Sequence, residues 1–425
     1  MTPPQVNFHE ILPDQIWKWN YLEQQIEQVL SLFNYQEMRL SVLQDYRTLS
    51  TGMVALLDSE EAHTSLQQVL SLNQPDEDIS LLSLRPEGTI SVLHQVAKLF
   101  PEGKTHRFFY RGPMFRKNKD MQPLEFFQLG VELLGSDSIL SENEVISLGM
   151  KLCHELGLKD TWLEINSFGC DACRPVFFAE MRRFLEAHQA DYCQECFRAL
   201  HHNPFHVTDC LKKECVHHTE AAPKIRNYLC SKCKDNFNRV KKIQANLANH
   251  YKVNDFLFKH FAYYNETVFN FVINTQEGPQ IIGGGGRYDN LSQKIAGRQI
   301  PAVGFYLNLD LIFRIMEARN LFHAHQEPFR VYLCAQSPEM EIIMLQIVQE
   351  LHQNGISTLI SSDIKDTDEE IDYAFKHGCQ AMIILRADNI REGKVLLRNL
   401  LKDKQDYVSL SDLLDDLTII KKALQ

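Results

Sequence analysis

The sequence predicts an α+β core of antiparallel strands flanked by helices, with a cysteine-rich insert and a small C-terminal α/β domain. Three observations lead to this prediction. The segment from Arg107 to Leu134 has two strand-like runs joined by a polar loop, which is typical of a long β-hairpin. Eight of the 11 cysteines lie between residues 170 and 233. From Phe329 onward strand and helix patterns alternate, which favours a largely parallel sheet.

The domain boundaries follow from these patterns. At 425 residues the chain is too long for one ordinary core. We assign residues 1–168 and 236–317 to the core, 169–235 to the insert and 328–425 to the C-terminal domain. The 44% of hydrophobic and 23% of charged residues are typical of a globular protein.

Local patterns support the core. Apolar residues recur with helical spacing near the N-terminus, namely Leu22, Ile26, Val29, Leu30 and Phe33. Asn34 follows, where a left-handed residue would end the helix. Residues 137–160 have a helical pattern and 161–167 a strand pattern. Cys153, Cys334 and Cys379 lie in apolar elements, so we expect them in the core.

Charge and composition limit the functional classes. The net charge of −11 lowers the expectation of broad, non-specific nucleic-acid binding, which usually needs a basic face. No stretch approaches a membrane span, so no membrane partner is expected. Met1 to His9 lack the basic start and apolar run of a signal peptide, and we expect a cytoplasmic protein. Cysteines stay reduced there, so a patterned cluster indicates metal.

The insert contains four closely spaced cysteine pairs: Cys170 and Cys173, Cys193 and Cys196, Cys210 and Cys215, Cys230 and Cys233. This spacing predicts two tetrahedral, structural zinc sites with four thiolate ligands each. We expect the first two pairs to share one ion and the last two the other, although interleaved pairing is also possible. His206, His217 and His218 are alternative ligands.

Five segments carry a family resemblance. They are LRPEGT (Leu84–Thr89), GPMFR (Gly112–Arg116) followed by FFQLGVELLG, YYNETVF (Tyr263–Phe269), GGGGRYDNL (Gly283–Leu291) and PAVGFYLNLD (Pro301–Asp310). In this order they resemble the motifs of histidyl-tRNA synthetases, which are class II aminoacyl-tRNA synthetases. NPFHVTDC, ending at Cys210, resembles a segment of zinc-bearing members. The resemblance implies a class II catalytic core and a C-terminal domain like an anticodon-binding domain.

The resemblance also implies a binding site. Glu87 and Glu132 would face the ammonium of histidine or a similar amino acid, and Arg116 would hold its carboxylate and the α-phosphate of ATP. Tyr263 and Tyr264 would line the imidazole site. The implied catalytic residues are Arg116 and Lys259. The full implied binding set is Glu87, Gly88, Thr89, Arg116, Gln128, Glu132, Lys259, Tyr263, Tyr264, Gly284, Gly285, Tyr288 and Gly304.

Each motif alone has a simpler explanation. Glu87 would be a turn residue, Tyr263 and Tyr264 would be core aromatics of a strand, and the glycine run would be a loop. The shared order of the motifs favours the binding site over these separate explanations.

The ATP side departs from the family pattern. In motif 2, the segment that begins with GPMFR, Asn118 replaces a glutamate of the family. Lys259 replaces the catalytic arginine, and Ala262 replaces an aspartate. Leu311 stands where the family has the arginine that holds the γ-phosphate, and Arg314 follows one helical turn later. Lysine keeps the charge of arginine but loses its planar fork. These changes predict weakened use of ATP.

The C-terminal domain departs as well. The segment from Asp366 to Asp372 is acidic where the family has a basic helix start, which disfavours phosphate contact and makes tRNA a doubtful partner. The sequence therefore favours a divergent histidine-binding paralogue with reduced or lost ATP-dependent activation, and a regulatory subunit is one such role. The alternatives are an active histidine–tRNA ligase that uses ATP and Mg, or an ATP-dependent ligase with a non-tRNA acceptor. By resemblance, motif 1 (Trp17 to Arg39) would form a homodimer.

Overall fold

The protein divides into two compact units, Met1–His323 and Ala324–Gln425, which are described separately. The structure is a computed structural model. It describes residues 10–54, 66–72, 82–100, 103–117, 123–194, 196, 210, 212, 215, 220–257, 264–323, 329–361, 366–415 and 420.

The first unit is built from helices and strands in mixed order. Its helices are α1 (Pro13–Leu32), α2 (Tyr46–Val54), α3 (Thr89–Leu99), α4 (Ile139–Glu155), α5 (Cys173–Ala187), α6 (Ser231–Asn246), α7 (Leu291–Ala296) and α8 (Leu309–Ala318). Its strands are β1 (Gln36–Glu37), β2 (Leu43–Asp45), β3 (Leu82–Leu84), β4 (His106–Lys117), β5 (Pro123–Leu134), β6 (Trp162–Ser167), β7 (Tyr251–Val253), β8 (Asn265–Thr275), β9 (Gly278–Arg287) and β10 (Ala302–Asn308).

An eight-stranded sheet organises this unit, in the order β1-β4-β5-β10-β9-β8-β6-β7. Its interior pairings are antiparallel, and only the outer pairs β1·β4 and β6·β7 are parallel among the described strands. The β4–β5 hairpin pairs continuously from His106↔Leu134 to Lys117↔Pro123, which confirms the predicted hairpin. The predicted antiparallel core flanked by helices is confirmed.

Strand alternation gives the sheet two different faces. On β5, Leu129, Val131 and Leu133 are fully buried in the larger core, together with side chains of α1, α4, α6 and α8. Gln128, Gly130 and Glu132 alternate with them and therefore lie on the opposite face. Polar residues reach that face without disturbing the apolar core beneath.

Helix α1 confirms the sequence pattern. Leu22, Ile26, Val29 and Leu30 are buried against the sheet, and Asn34 has a left-handed backbone with φ 60° just after the helix. The residues predicted to end the helix and to face the core do so.

A buried ion cluster fixes the start of α4 against the end of β9. The guanidinium of Arg287 donates to Glu142 (2.6 Å) and Asp289 (3.0 Å), and to the carbonyls of Ser136 and Ser138 at 3.2 Å each. Both Arg287 and Glu142 are fully buried. Asp289 also accepts from the Ala302 backbone amide (2.9 Å), so the cluster connects β9, β10 and α4.

The second unit has a five-stranded sheet in the order β12-β11-β13-β14-β15. Its elements are β11 (Arg330–Ala335), α9 (Glu341–Gln353), β12 (Ser357–Ile360), α10 (Thr367–Lys376), β13 (Ala381–Leu385), α11 (Ala387–Arg391), β14 (Lys394–Asn399), β15 (Lys404–Ser409) and α12 (Leu410–Asp415). Strands β12, β11 and β13 pair in parallel, but β14 and β15 add two antiparallel pairings. The prediction of a largely parallel sheet is correct only for the first three strands.

Cys153, Cys334 and Cys379 are buried in apolar clusters, as predicted. Among the helices that the structure describes, none has the length and apolar character needed to span a bilayer.

We expect Arg287→Met to destabilise the first unit by about 3–5 kcal/mol, because Glu142 would be left buried without its partner. Arg107→Met is the matched control, since Arg107 forms a bidentate salt bridge with Glu144. Glu144 is half-exposed and lies on α4, the helix that also carries Glu142. That pair should be worth about 1 kcal/mol or less. Urea unfolding followed by tryptophan fluorescence reports this unit, since Trp17, Trp19 and Trp162 all lie in it. Equal losses in the two variants would contradict this prediction.

Candidate functional site

Two rows of residues cross the second face of the large sheet, which packs with α2, α3 and α7 in a smaller apolar cluster. One row is Phe108, Glu132, Gly304, Gly286 and Val268. The next row is Tyr110, Gly130, Tyr306, Gly284 and Asn270. Glycine occupies four of these ten central positions, which leaves room above the backbone for neighbouring side chains.

Polar and aromatic groups fill that room. A Cβ at Gly304 would lie 1.9 Å from the Glu132 carboxylate, and one at Gly130 would lie 2.0 Å from the Tyr110 ring. A Cβ at Gly88, in the loop above, would also meet Tyr110, at 2.3 Å. These contacts are too short for any side chain, so the site requires glycine at the three positions. Gly286 is similar, since a Cβ there would lie 2.6 Å from the Thr267 carbonyl oxygen. We call these four glycines, which are Gly130, Gly286 and Gly304 on the sheet and Gly88 in the loop, the glycine floor.

Gly285 belongs to the other face of the sheet. It pairs with Phe305 and Phe269, which both lie in the larger apolar core. A Cβ there would lie 1.9 Å from the Gly304 carbonyl oxygen. Gly285 therefore allows close strand packing, whereas its neighbours Gly284 and Gly286 face the site.

Glu87 caps the first turn of α3. Its carboxylate accepts from the backbone amides of Thr89 (2.7 Å) and Ile90 (3.1 Å), which suits the positive end of a helix. Burial raises the pKa of Glu87 to about 7, and the amides and the charge of Arg116 oppose that rise. The simple turn role is real, and it holds the carboxylate rigidly inside the site.

Glu132 lies beside Glu87 in the same buried region. Its carboxylate accepts from the Thr89 hydroxyl (2.8 Å) and from the Tyr288 hydroxyl. Burial raises its pKa to about 8, and the nearby charge of Glu87 raises it further, while the hydroxyl bonds lower it. A cation beside the two carboxylates would favour their charged forms, so the pair is suited to an ammonium group.

Aromatic residues close the site around these carboxylates. The Tyr264 ring contacts Gly286, where a Cβ would lie 2.9 Å away, and meets the Tyr288 ring edge-on at 6.2 Å. The amide of Gln128 donates to the Tyr110 hydroxyl at 3.4 Å. Sequence reasoning missed Tyr110, although the register of the predicted hairpin places it beside Gly130.

Arg116 brings a positive charge to the outer end of β4. Its guanidinium lies 4.6 Å from the centre of the Phe126 ring, and the side chain is half-buried. Its charge lowers the pKa of both Glu87 and Tyr306, although burial raises both values overall. Arg116 is therefore close enough to act on groups at the site.

Arg85 was also missed, and it fixes the loop that carries Glu87. Its guanidinium donates to the carbonyls of Pro113 (2.8 Å) and Leu40 (2.7 Å). Gly112, with φ 138°, leaves the space, since a Cβ there would lie 2.5 Å from the guanidinium. The arginine in LRPEGT is thus a structural clamp between the loop and β4.

Four residues considered for the amino-acid and ATP sites lie outside the described residues: Asn118, Lys259, Ala262 and Tyr263. The residues at the end of the segment PAVGFYLNLD and just after it are described. Asn308 caps α8 by accepting from the Leu311 amide (3.0 Å), and Asp310 accepts from the Phe127 amide (2.7 Å). Leu311 packs against the larger apolar core, and Arg314 is exposed on α8.

The eight clustered cysteines form two groups of four. The near cluster, which follows β6 of the large sheet, consists of Cys170, Cys173, Cys230 and Cys233. The far cluster, which lies within the insert, consists of Cys193, Cys196, Cys210 and Cys215. The expected pairing of the first two pairs is wrong: the first pair meets the last, and the two middle pairs meet each other. The alternative ligands His206, His217 and His218 lie outside the described residues.

The geometry of both clusters fits zinc. Within each cluster the sulfur atoms lie within 4.8 Å of one another. Cys170 and Cys173 have sulfurs 3.6 Å apart, and Cys193 and Cys210 have sulfurs 3.9 Å apart. A tetrahedral zinc with Zn–S bonds of about 2.3 Å requires sulfurs about 3.8 Å apart.

Comparisons with known proteins identify the family. The model of the family described as histidyl-tRNA synthetase matches residues 7–312. The chain belongs to the histidyl-tRNA synthetase family. It is 30% identical to the histidine–tRNA ligase of Caldicellulosiruptor bescii, over 98% of this chain and 97% of that protein. It is 28% identical to that of Halothermothrix orenii, over 96% and 97%.

Solved structures of this family share the fold. The apo histidyl-tRNA synthetase of S. aureus superposes with a TM-score of 0.77 at 21% identity, covering 98% of this chain and 99% of that one. A Bacillus halodurans C protein described as an ATP phosphoribosyltransferase regulatory subunit/histidyl-tRNA synthetase gives 0.64 at 20% identity, covering 90% and 98%. The chain has the class II synthetase fold.

The buried carboxyl of Glu132 should make the first unit less stable as pH rises. Its pKa is about 8 in the folded chain against a reference value of 4.5. Between these values the folded chain binds more protons than the unfolded one, so stability falls with pH. Glu132→Gln removes this titration and should gain about 2–4 kcal/mol over the wild type from about pH 5 to about pH 8.5.

Urea unfolding at the two pH values measures this difference. Glu125→Gln is the control, since Glu125 is an exposed glutamate on the same strand. As a surface substitution, it should change the free energy of unfolding by no more than about 0.5 kcal/mol. A constant difference between wild type and Glu132→Gln would show that the Glu132 carboxyl does not titrate in this range.

Proposed function

We propose that this protein binds histidine in the site above the glycine floor and activates it with ATP, as a histidine–tRNA ligase. The observation that carries the proposal is the buried pair Glu87 and Glu132, joined through Thr89, beside the aromatic residues Tyr264 and Tyr288. Two acidic groups in a buried, aromatic-lined site suit a small cationic ligand with a flat ring.

The residues suggest a role for each part of the ligand. The ammonium would lie beside Glu87 and Glu132, with Gln128 and Thr89 as neutral hydrogen-bond partners. The imidazole would lie against Tyr264, and Tyr263 remains a predicted contact. Arg116 would bind the carboxylate and the α-phosphate of ATP, and its fork would stabilise the charge that develops as the adenylate forms. Mg would accompany ATP.

The comparisons favour the ligase over the paralogue that the sequence analysis put first. The relatives reported above are named histidine–tRNA ligase and align along almost the whole chain. In the acidic segment of α10, one of the five acidic residues does not face solvent, whereas Asp366, Asp368 and Glu369 are exposed. Glu370 is buried and accepts hydrogen bonds from the hydroxyls of Tyr332 and Ser361 (2.6 Å for Ser361). It therefore stabilises the interior of the domain and is not part of its acidic surface.

A second candidate is a histidine-binding paralogue that activates poorly. One observation favours it: Leu311, at the position of the γ-phosphate arginine, is half-buried and packs against the larger apolar core. Losing one donor to developing charge costs about 10²- to 10³-fold in rate. A regulatory partner and a non-tRNA acceptor have no separate support, and the homodimer remains a prediction.

We also propose a structural zinc ion in each cysteine cluster. Four thiolates fill all four positions of a tetrahedral ion, which leaves none for a substrate. The near cluster lies where β6 leads into α5 and where α6 begins, and the far cluster lies in the apolar core of the insert. The ions would hold together a segment whose own apolar core is small.

Histidine-dependent exchange between pyrophosphate and ATP tests activation directly. The wild type should catalyse the exchange. Arg116→Ala should lower its rate about 10²- to 10³-fold, because the guanidinium that holds the reacting oxygens is removed. Arg391→Ala, an exposed arginine of the second unit, should retain the wild-type rate.

Binding calorimetry separates the outcomes of this experiment. Histidine binding without exchange would reject the ligase and favour the paralogue. No histidine binding would reject both. Exchange without charging of tRNA would favour the non-tRNA acceptor.

Leu311→Arg should restore a contact to the γ-phosphate. We expect the KM for ATP in the exchange reaction to fall roughly tenfold, because a charge-assisted hydrogen bond contributes on the order of 1.5–3 kcal/mol. Leu311→Met preserves the apolar contact and should leave this KM unchanged. If Leu311→Arg is folded and its KM for ATP is unaltered, the γ-phosphate is bound elsewhere.

A further inference from the structure

The near cluster is connected to the segment that carries Tyr264. Cys170 and Cys173 follow β6, which pairs with β8, and Tyr264 immediately precedes β8. The two strands are joined at this end by an extra pair of backbone hydrogen bonds. The Glu266 amide donates to the Gly169 carbonyl (3.0 Å), and the Phe168 amide donates to the Glu266 carbonyl (2.5 Å).

Side chains next to the cysteines strengthen the connection. Arg174, the residue after Cys173, donates from its guanidinium to the Tyr264 carbonyl at 3.0 Å. Asn236, three residues after Cys233, donates to the Glu266 carboxylate at 3.0 Å. Arg174 and Asn236, close in sequence to the two cysteine pairs, thus contact residues 264–266 from two different helices, α5 and α6.

The backbone of this segment requires such support. Glu266 has φ 53°, a left-handed conformation that costs a residue with a Cβ about 1 kcal/mol or more. Gly169 also has a positive φ, 65°, and a Cβ there would lie 2.8 Å from the Cβ of Cys173. The turn into the cluster is therefore tight, and a shift of Cys173 would be transmitted to the pair that Gly169 makes with Glu266.

We propose that metal bound at the near cluster controls the affinity of the site for its amino acid, by fixing the position of Tyr264. This inference rests on the proposed histidine binding. Four thiolates within 4.8 Å repel one another unless a cation lies among them. Loss of the ion would separate the two cysteine pairs and withdraw Arg174 and Asn236 from the segment. The near cluster would then act as a metal-dependent positioning device.

The far cluster provides the matched control. Its cysteines pack with Phe177, Met181 and Ile225 in the core of the insert. Cys170→Ser with Cys230→Ser weakens the near cluster, and Cys193→Ser with Cys210→Ser weakens the far one. Each pair of changes removes two thiolates that are not fully buried. Each double variant should bind one zinc per chain where the wild type binds two.

Histidine binding to the full chain, measured by calorimetry, is the first readout. We expect the near-cluster variant to have a Kd at least roughly tenfold higher than the wild type, and the far-cluster variant to remain close to the wild type. Amide hydrogen exchange at residues 264–266 without histidine is the second readout. Exchange there should rise in the near-cluster variant only.

Arg174→Ala tests the connection with all thiolates present. It should raise the Kd roughly tenfold at unchanged zinc content, since a hydrogen bond from a charged donor is lost. Arg183→Ala is its control on the same helix: Arg183 pairs with Glu180 three residues before it, as Arg174 pairs with Asp171, but is exposed. It should have no effect on the Kd.

The outcomes separate the two proposals. A wild type without histidine affinity contradicts the proposed function, and the hydrogen-exchange comparison then still tests the coupling. A wild type that binds histidine, with an unchanged Kd and unchanged exchange in both the near-cluster variant and Arg174→Ala, overturns the inference alone.

Discussion

The site depends on the absence of side chains at Gly88, Gly130, Gly286 and Gly304. Any Cβ on this glycine floor would collide with Tyr110, Tyr264 or Glu132. Glycine weakens a strand, by about 0.5–1 kcal/mol per residue relative to alanine. The sheet can carry that cost because its opposite face is packed by α1, α4, α6 and α8. One face is packed by the larger apolar core, and the other combines a smaller apolar cluster with the buried polar groups of the site.

The amino-acid side and the phosphate side of the site are built differently. Glu87 and Glu132 are held by a helix start, a threonine and a tyrosine, so they are rigid before any ligand arrives. On the phosphate side, Arg116 is half-buried and Leu311, also half-buried, packs against the larger apolar core. Preorganised charge is thus strongest where the ammonium would bind. The two functional candidates, the active ligase and the poorly activating paralogue, differ only in how well the phosphate side still supports activation with ATP.

The sequence predicted the parts that depend on local pattern. Helix α1, the β4–β5 hairpin and the buried isolated cysteines follow from periodicity and apolar context. The family resemblance implied that Glu87, Thr89 and Glu132 belong to one site, and Thr89 bonds both carboxylates in the structure, but their binding role stays a prediction. Features that depend on spatial proximity were missed or wrong. Spacing shows which cysteines form a pair but not which pairs meet. Arg85 can be recognised as a clamp only once Gly112 is known to lie opposite its guanidinium. The face of the sheet on which Gly285 lies can be assigned only from the strand register.

The nested pairing of the cysteines also sets an order of assembly. The shortest loop that joins the two pairs of the near cluster runs from Cys173 to Cys230, which are separated by 57 positions, whereas Cys193 and Cys210 of the far cluster are separated by 17. Loop-closure entropy costs about 0.6 kcal/mol for each doubling of loop length. The inner loop therefore closes first, and its closure shortens the outer loop. Under limiting metal supply, we expect the outer site, which contacts the Tyr264 segment, to be the last to fill.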